Sequence, residues 1–351
     1  MLHGASAKKE VFMIGSEEGA RLYPDVTYEV EAFLEEVKPC IYHSRYAVHD
    51  FYFTDRLDLY AVVDPGEKIL FIDTGWWELC GTEALDRLVE RVGVPWNRVE
   101  VFITHFHNDH DGNLQHCLDR GAGTVYHGPK KTFSEKEFET FLRASGARRM
   151  DDAALLPFVE LLMGRGVGAR GESYQAVTVD GEPAITVGDY RFTPLLTPGH
   201  CPEHLCLLEA EKGILFAGDH VLDSAPGLMQ YEADSRLLKL YLDSLENLKT
   251  RGLETVYLSH HDALEGTDVI NAFISSIVAK YEKPLTKMRT IMCETHAPLS
   301  AYDAAREFYS YLPMGFDGEA DQLRTRRLMI AFSYLEYLHD CGEVSRMPSS
   351  A

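Results

Sequence analysis

Nine consecutive residues carry the densest chemistry of this chain, and they read Thr104-His105-Phe106-His107-Asn108-Asp109-His110-Asp111-Gly112. Residues 99–103, directly before them, form an apolar run rich in β-branched and aromatic side chains, which predicts a buried strand. Three histidines and two aspartates within nine residues are too many for a satisfied core cluster, whereas imidazole and carboxylate groups are good ligands for a divalent metal ion. The sequence therefore predicts a metal site where this strand ends.

The spacing within these nine residues favours two metal ions side by side. His105 and His107 are two residues apart, so both side chains can point the same way from extended backbone. Asp109 and His110 come after a further turn and would face a neighbouring position.

The pattern His105-x-His107-x-Asp109-His110 resembles the first motif of the metallo-β-lactamase-fold hydrolase superfamily, and sequences similar to its later motifs follow in order. Residues 197–204 read TPGHCPEH and resemble the second histidine motif, usually written TPGHTPGH. Residues 216–219, FAGD, resemble the F-x-G-D motif, and residues 259–261, SHH, stand where the superfamily usually has Gly-His-Gly. The second motif thus departs at two positions, and the last one has a doubled histidine.

The resemblance implies a set of metal ligands drawn from all four motifs. One metal ion would be held by His105, His107 and His200, the other by Asp109, His110 and His260, and Asp219 would bridge the two. Aligning Ser259 with the first glycine of Gly-His-Gly favours His260 as the last ligand, with His261 as the alternative. Nitrogen and oxygen ligands without thiolate suit two divalent ions, of which zinc is the expected metal and iron or manganese the alternatives.

Four further residues near these motifs are expected to have other roles. Asp73, in Ile72-Asp73-Thr74-Gly75, would either orient a metal ligand or cap the turn before Gly75. His204 is expected to form a hydrogen bond within its turn, and Cys201 to serve as a small apolar spacer. His220 is excluded as a ligand because neighbouring strand residues point to opposite faces.

The remaining sequence alternates between strand and helix patterns, which is typical of an α/β layer fold. The resemblance implies a four-layer αββα architecture for a catalytic domain of residues 1–265. Further strands are predicted at residues 57–63, 68–73, 124–126, 184–187, 190–196, 213–217 and 255–258, and helices at residues 83–92, 113–120, 133–142, 153–163 and 237–248. Helical spacing of apolar residues also predicts a helix over residues 26–37.

Two segments outside this framework are expected to modify it. Residues 129–181 follow a looser pattern, and this insertion would either shape the substrate pocket or cover the edge of the sheet. Residues 266–351 are predicted as a C-terminal helical domain with helices at 267–283, 301–311 and 322–339. This series resembles the winged-helix-like cap of the β-lactamase-like type 2 group, and such a cap does not by itself imply nucleic-acid binding.

Composition restricts the expected location and partners. The chain has 55 acidic and 34 basic residues and a formal net charge of −21, which makes binding of nucleic acid or of an anionic membrane unfavourable. Seven cysteines without a CxxC pair favour a reduced, cytoplasmic protein, and no apolar run is long enough for a membrane span. A small-molecule substrate is expected, and the apolar faces of the C-terminal helices are compatible with a homodimer.

The resemblance implies hydrolysis by a metal-bound hydroxide, with Asp109 as a participant in proton transfer. The expected substrate is a small acyl compound such as a thioester or lactone, which the acidic charge and the partly apolar insertion favour. A phosphodiesterase or nuclease is one alternative, and a metal-binding regulatory or redox protein of low turnover is another. A flavodiiron oxygen reductase is disfavoured because Asn108 stands where that group usually has glutamate.

Overall fold

The computed structural model describes residues 11–12, 27–49, 54–76, 80–128, 135–147, 174–176, 185–223, 226, 228, 230–232, 235–295 and 298–345. Within them, two β-sheets pack face to face and helices cover both outer faces. The predicted four-layer αββα fold is therefore confirmed. The helix predicted over residues 153–163 lies outside the described residues, as does most of the 129–181 insertion.

The first sheet has eight strands whose spatial order follows the chain. These strands are β1 (Val11–Phe12), β2 (Thr27–Lys38), β3 (Ile41–His49), β4 (Arg56–Asp64), β5 (Lys68–Ile72), β6 (Val99–Ile103), β7 (Thr124–His127) and β8 (Tyr174–Ala176). Neighbours from β1 to β5 pair antiparallel, and those from β5 to β8 pair parallel. The parallel pairing brings the carboxyl ends of β5 and β6 to the same edge.

The second sheet has six strands in the spatial order β14-β13-β12-β11-β10-β9. These strands are β9 (Ile185–Val187), β10 (Tyr190–Leu196), β11 (Leu205–Glu209), β12 (Ile214–Phe216), β13 (Thr255–Tyr257) and β14 (Leu264–Glu265). Only β12 and β13 pair parallel in this sheet, while the other neighbours pair antiparallel. The ends of β12 and β13 therefore also lie together.

Eight α-helices in the described residues form the two outer layers. The first sheet is covered by α1 (Thr82–Val92) and α2 (Leu114–Asp119), and the second by α3 (Glu135–Ala144), α4 (Leu237–Leu248), α5 (Thr267–Lys280), α6 (Glu282–Glu294), α7 (Ala301–Phe308) and α8 (Asp321–Asp340). Single 3-10 turns occur at Trp96–Arg98 and Phe316–Gly318.

Strand periodicity divides the apolar residues between the layers. In β4, Tyr60 and Val62 belong to the core between the sheets, whereas Ala61 and Val63 belong to the core beneath α1 and α2. This two-residue alternation is what a strand buried on both faces requires. The near-continuous apolar run of β4 is thus explained by its central place in the fold.

The helix predicted over residues 26–37 is wrong, because this segment forms strand β2. Its pairing with β3 has register shifts between Val30 and Ala32, between Ala32 and Glu35, and between Glu36 and Lys38. Each shift inserts an unpaired residue and moves the following side chains to the other face. The shifts therefore create a spacing that resembles the 3.6-residue helical period without any helical backbone.

The C-terminal helices share one core with the second sheet. Leu208 and Leu215 of the sheet, Leu245 of α4, Ile274 of α5 and Leu338 of α8 all belong to the same buried cluster. Residues 266–345 contain helices and no strand among those that the structure describes, so the resemblance to a winged helix extends to the helices only. The domain boundary after residue 265 stays a prediction.

Deletion of residues 266–351 should prevent soluble folding of the remaining chain. The deletion would expose the outer face of the second sheet and α4, and each large apolar side chain contributes about 1.5–3 kcal/mol by burial. Several such losses exceed the roughly 5–15 kcal/mol that stabilises a typical domain. Size-exclusion chromatography and thermal unfolding of the 1–265 chain, with the full chain as control, measure this. A monomeric 1–265 chain with one cooperative transition would contradict the expectation.

Candidate metal centre

Five polar residues lie at the edge where strands of both sheets end. They are Asp73 after β5, His105 after β6, His200 in the turn between β10 and β11, Asp219 after β12 and His260 after β13. The backbone N–H of Leu205 donates to the carbonyl oxygen of Thr104 over 2.8 Å, which ties the second sheet to the first histidine motif. The residues predicted from four separate motifs are thus brought together at one edge.

The first group of side chains contains three histidines and one aspartate. Its potential ligand atoms, from His105, His107, His200 and Asp219, lie within 4.8 Å of one another. Nδ1 of His107 lies 2.9 Å from Nε2 of His105 and 2.9 Å from Nε2 of His200. Oδ2 of Asp219 lies 3.4 Å from Nε2 of His200. Three ring nitrogens and a carboxylate oxygen therefore converge.

The second group contains Asp109, His110 and His260, whose potential ligand atoms also lie within 4.8 Å of one another. Oδ2 of Asp109 lies 3.3 Å from Nε2 of His260 and 3.7 Å from Nε2 of His110. The structure thus includes His260 in this group. Nδ1 of His261 contacts the carbonyl oxygen of Asp262 instead, at 3.1 Å, and His261 belongs to neither group.

Asp219 lies between the two groups and faces both. Its Oδ1 atom lies 3.3 Å from Nε2 of His110 and 3.2 Å from Nε2 of His260. Its Oδ2 atom faces His200 of the first group. One carboxylate oxygen is thereby directed toward each group, which is the arrangement of a bridging ligand.

Acceptors behind the rings fix which nitrogen faces inward. Nδ1 of His110 donates to Oδ2 of Asp73 over 2.8 Å, and Nδ1 of His260 donates to the carbonyl oxygen of Arg56 over 2.6 Å. Because a carboxylate and a backbone carbonyl only accept, Nδ1 carries the proton of each neutral ring and Nε2 presents a lone pair. Of the two roles expected for Asp73, the structure supports that of orienting a ligand.

The hydroxyl of Thr104 orients His105 in the same way. It donates to Oδ2 of Asp73 over 2.8 Å, so its oxygen is left to accept from Nδ1 of His105 at 3.1 Å. Nε2 of His105 therefore also presents a lone pair to the first group. The side chain of Asp73 thus positions ring nitrogens in both groups.

The two groups have opposite electrostatic character. Burial and the neighbouring imidazoles hold the pKa of His105 well below its usual value and lower that of His107 to about 3, so both rings are neutral. Burial alone would also lower the pKa of His110 and His260, but the carboxylates of Asp219 and Asp109 raise both well above the usual value. The second group consequently attracts positive charge, which either a proton on Nε2 or a metal ion in place of that proton supplies.

Unsatisfied buried atoms show that this arrangement fits a cation. Nε2 of His110 and Oδ1 of Asp219 are buried without a hydrogen-bond partner among the described residues. Although burial alone would raise it, His260 and His110 hold the pKa of Asp219 well below its usual value, so the carboxylate is ionised. Buried lone pairs and charges of this kind are costly unless compensated. Each group therefore has the nitrogen and oxygen donor set of a divalent metal site.

Neighbouring residues that were expected to be non-ligands lie outside both groups. Nδ1 of His204 contacts Oγ1 of Thr197 at 3.0 Å within the turn, as expected, and its Nε2 accepts from the backbone N–H of Asp219 at 3.1 Å. His204 therefore also positions the backbone of Asp219. Nε2 of His220 contacts Oγ of Ser244 at 2.8 Å.

A cluster of charged residues beside His260 was missed in the sequence. It contains His43 and Arg45 of β3 and Arg56 and Asp58 of β4, gathered around the buried carboxylate of Asp58. Each strand has two polar residues spaced two apart, which places both on the same face. Two polar residues on one face of a largely buried strand were the feature of the sequence that could have indicated this cluster. The strand pairing that joins the two polar pairs, however, is a tertiary feature.

The helices in the described part of the chain do not combine the length and apolar character that a bilayer crossing needs.

A family model described as the metallo-beta-lactamase superfamily matches residues 58–260. Among curated relatives, the "Atrochrysone carboxyl ACP thioesterase" of Passalora fulva is 25% identical over 209 residues, which are 58% of this chain and 48% of that protein. This chain thus spans about half the length of that relative.

The "Beta-lactamase-like protein 2 homolog" of Caenorhabditis elegans is 21% identical over 255 residues, covering 72% of this chain and 70% of that protein. Among solved structures, a metallo-beta-lactamase family protein of Thermus thermophilus superposes with a TM-score of 0.66 at 20% identity, covering 89% of this chain and 97% of that one. This likeness shows the same fold.

The family match and the site coincide in the chain. All seven residues of the two groups lie within the matched residues 58–260, and that match covers more than half of the 351 residues. The chain therefore belongs to the metallo-beta-lactamase superfamily, a superfamily of hydrolases.

Proposed function

We propose that this protein is a hydrolase with two divalent metal ions, zinc being the preferred metal, that acts on a small acyl substrate such as a thioester or lactone. The observation that carries the proposal is the position of Asp219, whose two carboxylate oxygens face two separate groups of ligand-type atoms. A carboxylate held in common keeps two metal ions close, at about 3.5–4 Å in dinuclear hydrolases.

When bound, two adjacent dications polarise a substrate carbonyl and make water a nucleophile near neutral pH. The residues of the chain supply the rest of the chemistry. His105, His107 and His200 would hold the first ion, and Asp109, His110 and His260 the second. Asp73, Thr104 and the Arg56 carbonyl keep the ligand nitrogens pointed inward.

Asp109 is proposed to take part in proton transfer as well as to bind metal. Burial alone would raise the pKa of this carboxyl, but His110 and His260 hold it well below the usual value, so the group is ionised. An ionised carboxylate can accept a hydrogen bond from a water molecule between the two groups and receive its proton as the water attacks.

An acyl substrate is supported by two observations. One relative, 25% identical, is named a thioesterase, and a thioester is an acyl compound that water can cleave at its carbonyl carbon. The net charge of −21 also disfavours a polyanionic substrate. We therefore propose a thioester, lactone or related small carbonyl compound as the substrate class.

The nuclease alternative gains no support from Arg324 and Arg327 of α8. Arg324 pairs with Asp321, and Arg327 lies 3.6 Å from Glu319 and packs over the ring of Tyr309 at 5.3 Å. These side chains are engaged within the helical region rather than presented to a phosphate backbone.

A cytoplasmic location and a homodimer remain predictions. The mass of the protein in solution tests the homodimer.

Metal analysis of the purified protein should find two metal ions per chain, and His105→Ala or Asp219→Ala should lower this number. Turnover should fall by more than about 100-fold in both variants, because the loss of even an indirect partner of a metal ligand costs about 10–100-fold. Activity is measured on a panel of thioesters, lactones, β-lactams and phosphodiesters.

The matched control is His116→Ala, which removes a half-buried imidazole paired with Asp86 away from the site. Full activity of the His105 or Asp219 variant would contradict the dinuclear assignment. Two bound metal ions without turnover on any substrate would instead favour the regulatory alternative, and turnover of phosphodiesters alone would favour the nuclease.

Replacement of the two adjacent histidines one at a time should distinguish their roles. His260→Ala should reduce the bound metal from two ions to about one, because it removes an inward-facing nitrogen of the second group. His261→Ala should retain both ions, since its ring is only partly buried, packs near Phe273 and belongs to neither group. Elemental analysis after dialysis measures both variants. Loss of metal from the His261 variant alone would reverse the assignment.

A further inference from the structure

The carboxylate of Asp58 is buried at a place where no metal-ligating role requires it. Its side chain has no exposed surface, and it lies in β4, outside both groups of ligand-type residues. Oδ1 accepts from Nε2 of His43 at 2.6 Å and from Nε of Arg45 at 2.9 Å, while Nε of Arg56 donates to Oδ2. A buried charge is costly unless paired, and Asp58 is paired on every side that the structure shows.

The partners of Asp58 extend to the loop that carries His260. Nη2 of Arg45 lies 2.9 Å from Oδ1 of Asp262, and Nη1 of Arg56 lies 3.0 Å from the same oxygen. Asp58 and Asp262 thus hold the two guanidinium groups between them. The carboxylate of Asp58 fixes the two arginines, and the arginines hold the loop at Asp262.

The backbone of β4 holds the near side of the same loop. The N–H of Asp58 donates to the carbonyl oxygen of Ser259 over 2.7 Å, and the carbonyl oxygen of Arg56 accepts from Nδ1 of His260 at 2.6 Å. Residues 259–262 are therefore attached to β4 at three successive points. The middle attachment is the one that directs Nε2 of His260 toward Asp109 and Asp219.

These contacts differ from those of the first group. The orientation of His105 depends on Thr104 and Asp73, which follow directly after β6 and β5 and have no hydrogen bond to Asp58 among those that the structure describes. A disturbance at Asp58 would consequently reach the second group and spare the first. The two metal sites would then respond unequally.

We propose that Asp58 is a positioning residue that, through Arg45, Arg56 and Asp262, sets the orientation of His260 and thereby the affinity of the second metal site. The proposal rests on the proposed function, since it requires a metal ion in each group. It assigns a role to a charged cluster that neither ligates a metal nor belongs to the motifs of the sequence.

The decisive experiment compares the affinities of the two metal sites in Asp58→Asn and in the unmodified full chain. Zinc titration against a chromophoric chelator gives the two dissociation constants. Loss of a direct partner of a ligand costs about 10–100-fold, and Asp58 acts one contact further away, so the variant should bind the second zinc ion about 10-fold more weakly while the first dissociation constant stays within about twofold. Equal weakening of both sites, or of neither, would overturn the proposal.

The matched control is Glu100→Gln, which makes the same change from carboxylate to amide in a partly buried ion pair of the same sheet. Glu100 pairs with Lys68 at 3.0 Å, near the amino ends of β5 and β6 and thus at the edge opposite the site. This variant should bind both zinc ions as the unmodified chain does. A selective loss of the second ion here would mean that any damage to the sheet has this effect, and would also overturn the proposal.

Asp262→Ala tests the other end of the cluster and should fold normally, because its side chain is 69% exposed. Exposed ion pairs contribute about 0.2–1 kcal/mol, so the second zinc ion should bind about 1.5- to 5-fold more weakly. Added to Asp58→Asn, this change should have little further effect, since contacting residues in one network are not additive. Full additivity would show that the two carboxylates act separately, and would overturn the proposed action of Asp58 through Asp262.

Glu265→Ala serves as the control for Asp262→Ala, because Glu265 is also exposed and paired with a cation, Lys38 at 3.6 Å. The zinc content of the unmodified chain distinguishes a failure of the proposed function from a failure of the role of Asp58. If it binds fewer than two zinc ions, the proposed function fails. If it binds two and Asp58→Asn binds both with unchanged affinities, only the role of Asp58 fails.

Discussion

The site depends most on the hydrogen bonds that the buried carboxylate of Asp73 accepts. It accepts from the backbone N–H of Thr104 at 2.8 Å, from the Thr104 hydroxyl at 2.8 Å and from Nδ1 of His110 at 2.8 Å. Asp73 itself has a left-handed backbone with φ of 60°, a conformation that aspartate tolerates better than most residues. This turn directs the carboxylate from the end of β5 across to the end of β6. The first histidine motif is thereby held in one conformation.

The second sheet completes the site through a close approach that only a small residue permits. Gly218 has a φ of 49°, and a Cβ atom there would lie 2.8 Å from Nε2 of His204 and 2.8 Å from the side chain of Thr104. The glycine thus lets the segment after β12, which carries Asp219, pass against both His204 and the first motif. Asp219 can then direct one oxygen to each group. The packing of the two sheets and the geometry of the site therefore depend on the same few residues.

Sequence patterns predicted the elements well where the local and the tertiary signals agree. Helix α4 was predicted at residues 237–248 and is found there, because a single apolar face packs on the second sheet. Strand β2 was predicted as a helix because its register shifts disturb the two-residue period, and such shifts depend on the pairing with β3. Among the site residues, the ligand-type groups could be named from motifs, whereas the charged cluster around Asp58 could not. Its members are spread over two strands and a distant loop.

The sequence by itself determined the superfamily and the layered α/β architecture, through the resemblance of its motifs, and six of the seven residues that converge at one edge. For the seventh residue it favoured His260 and left His261 as the alternative. The tertiary structure alone decided which of two adjacent histidines faces the site, which ring nitrogen each histidine directs inward and what holds it there. The physical reason is that orientation depends on acceptors supplied by other strands, such as the Arg56 carbonyl behind His260 and the Asp73 carboxylate behind His110. A motif records which residue types are present, but a lone pair is directed by its hydrogen-bond partner on the other side of the ring.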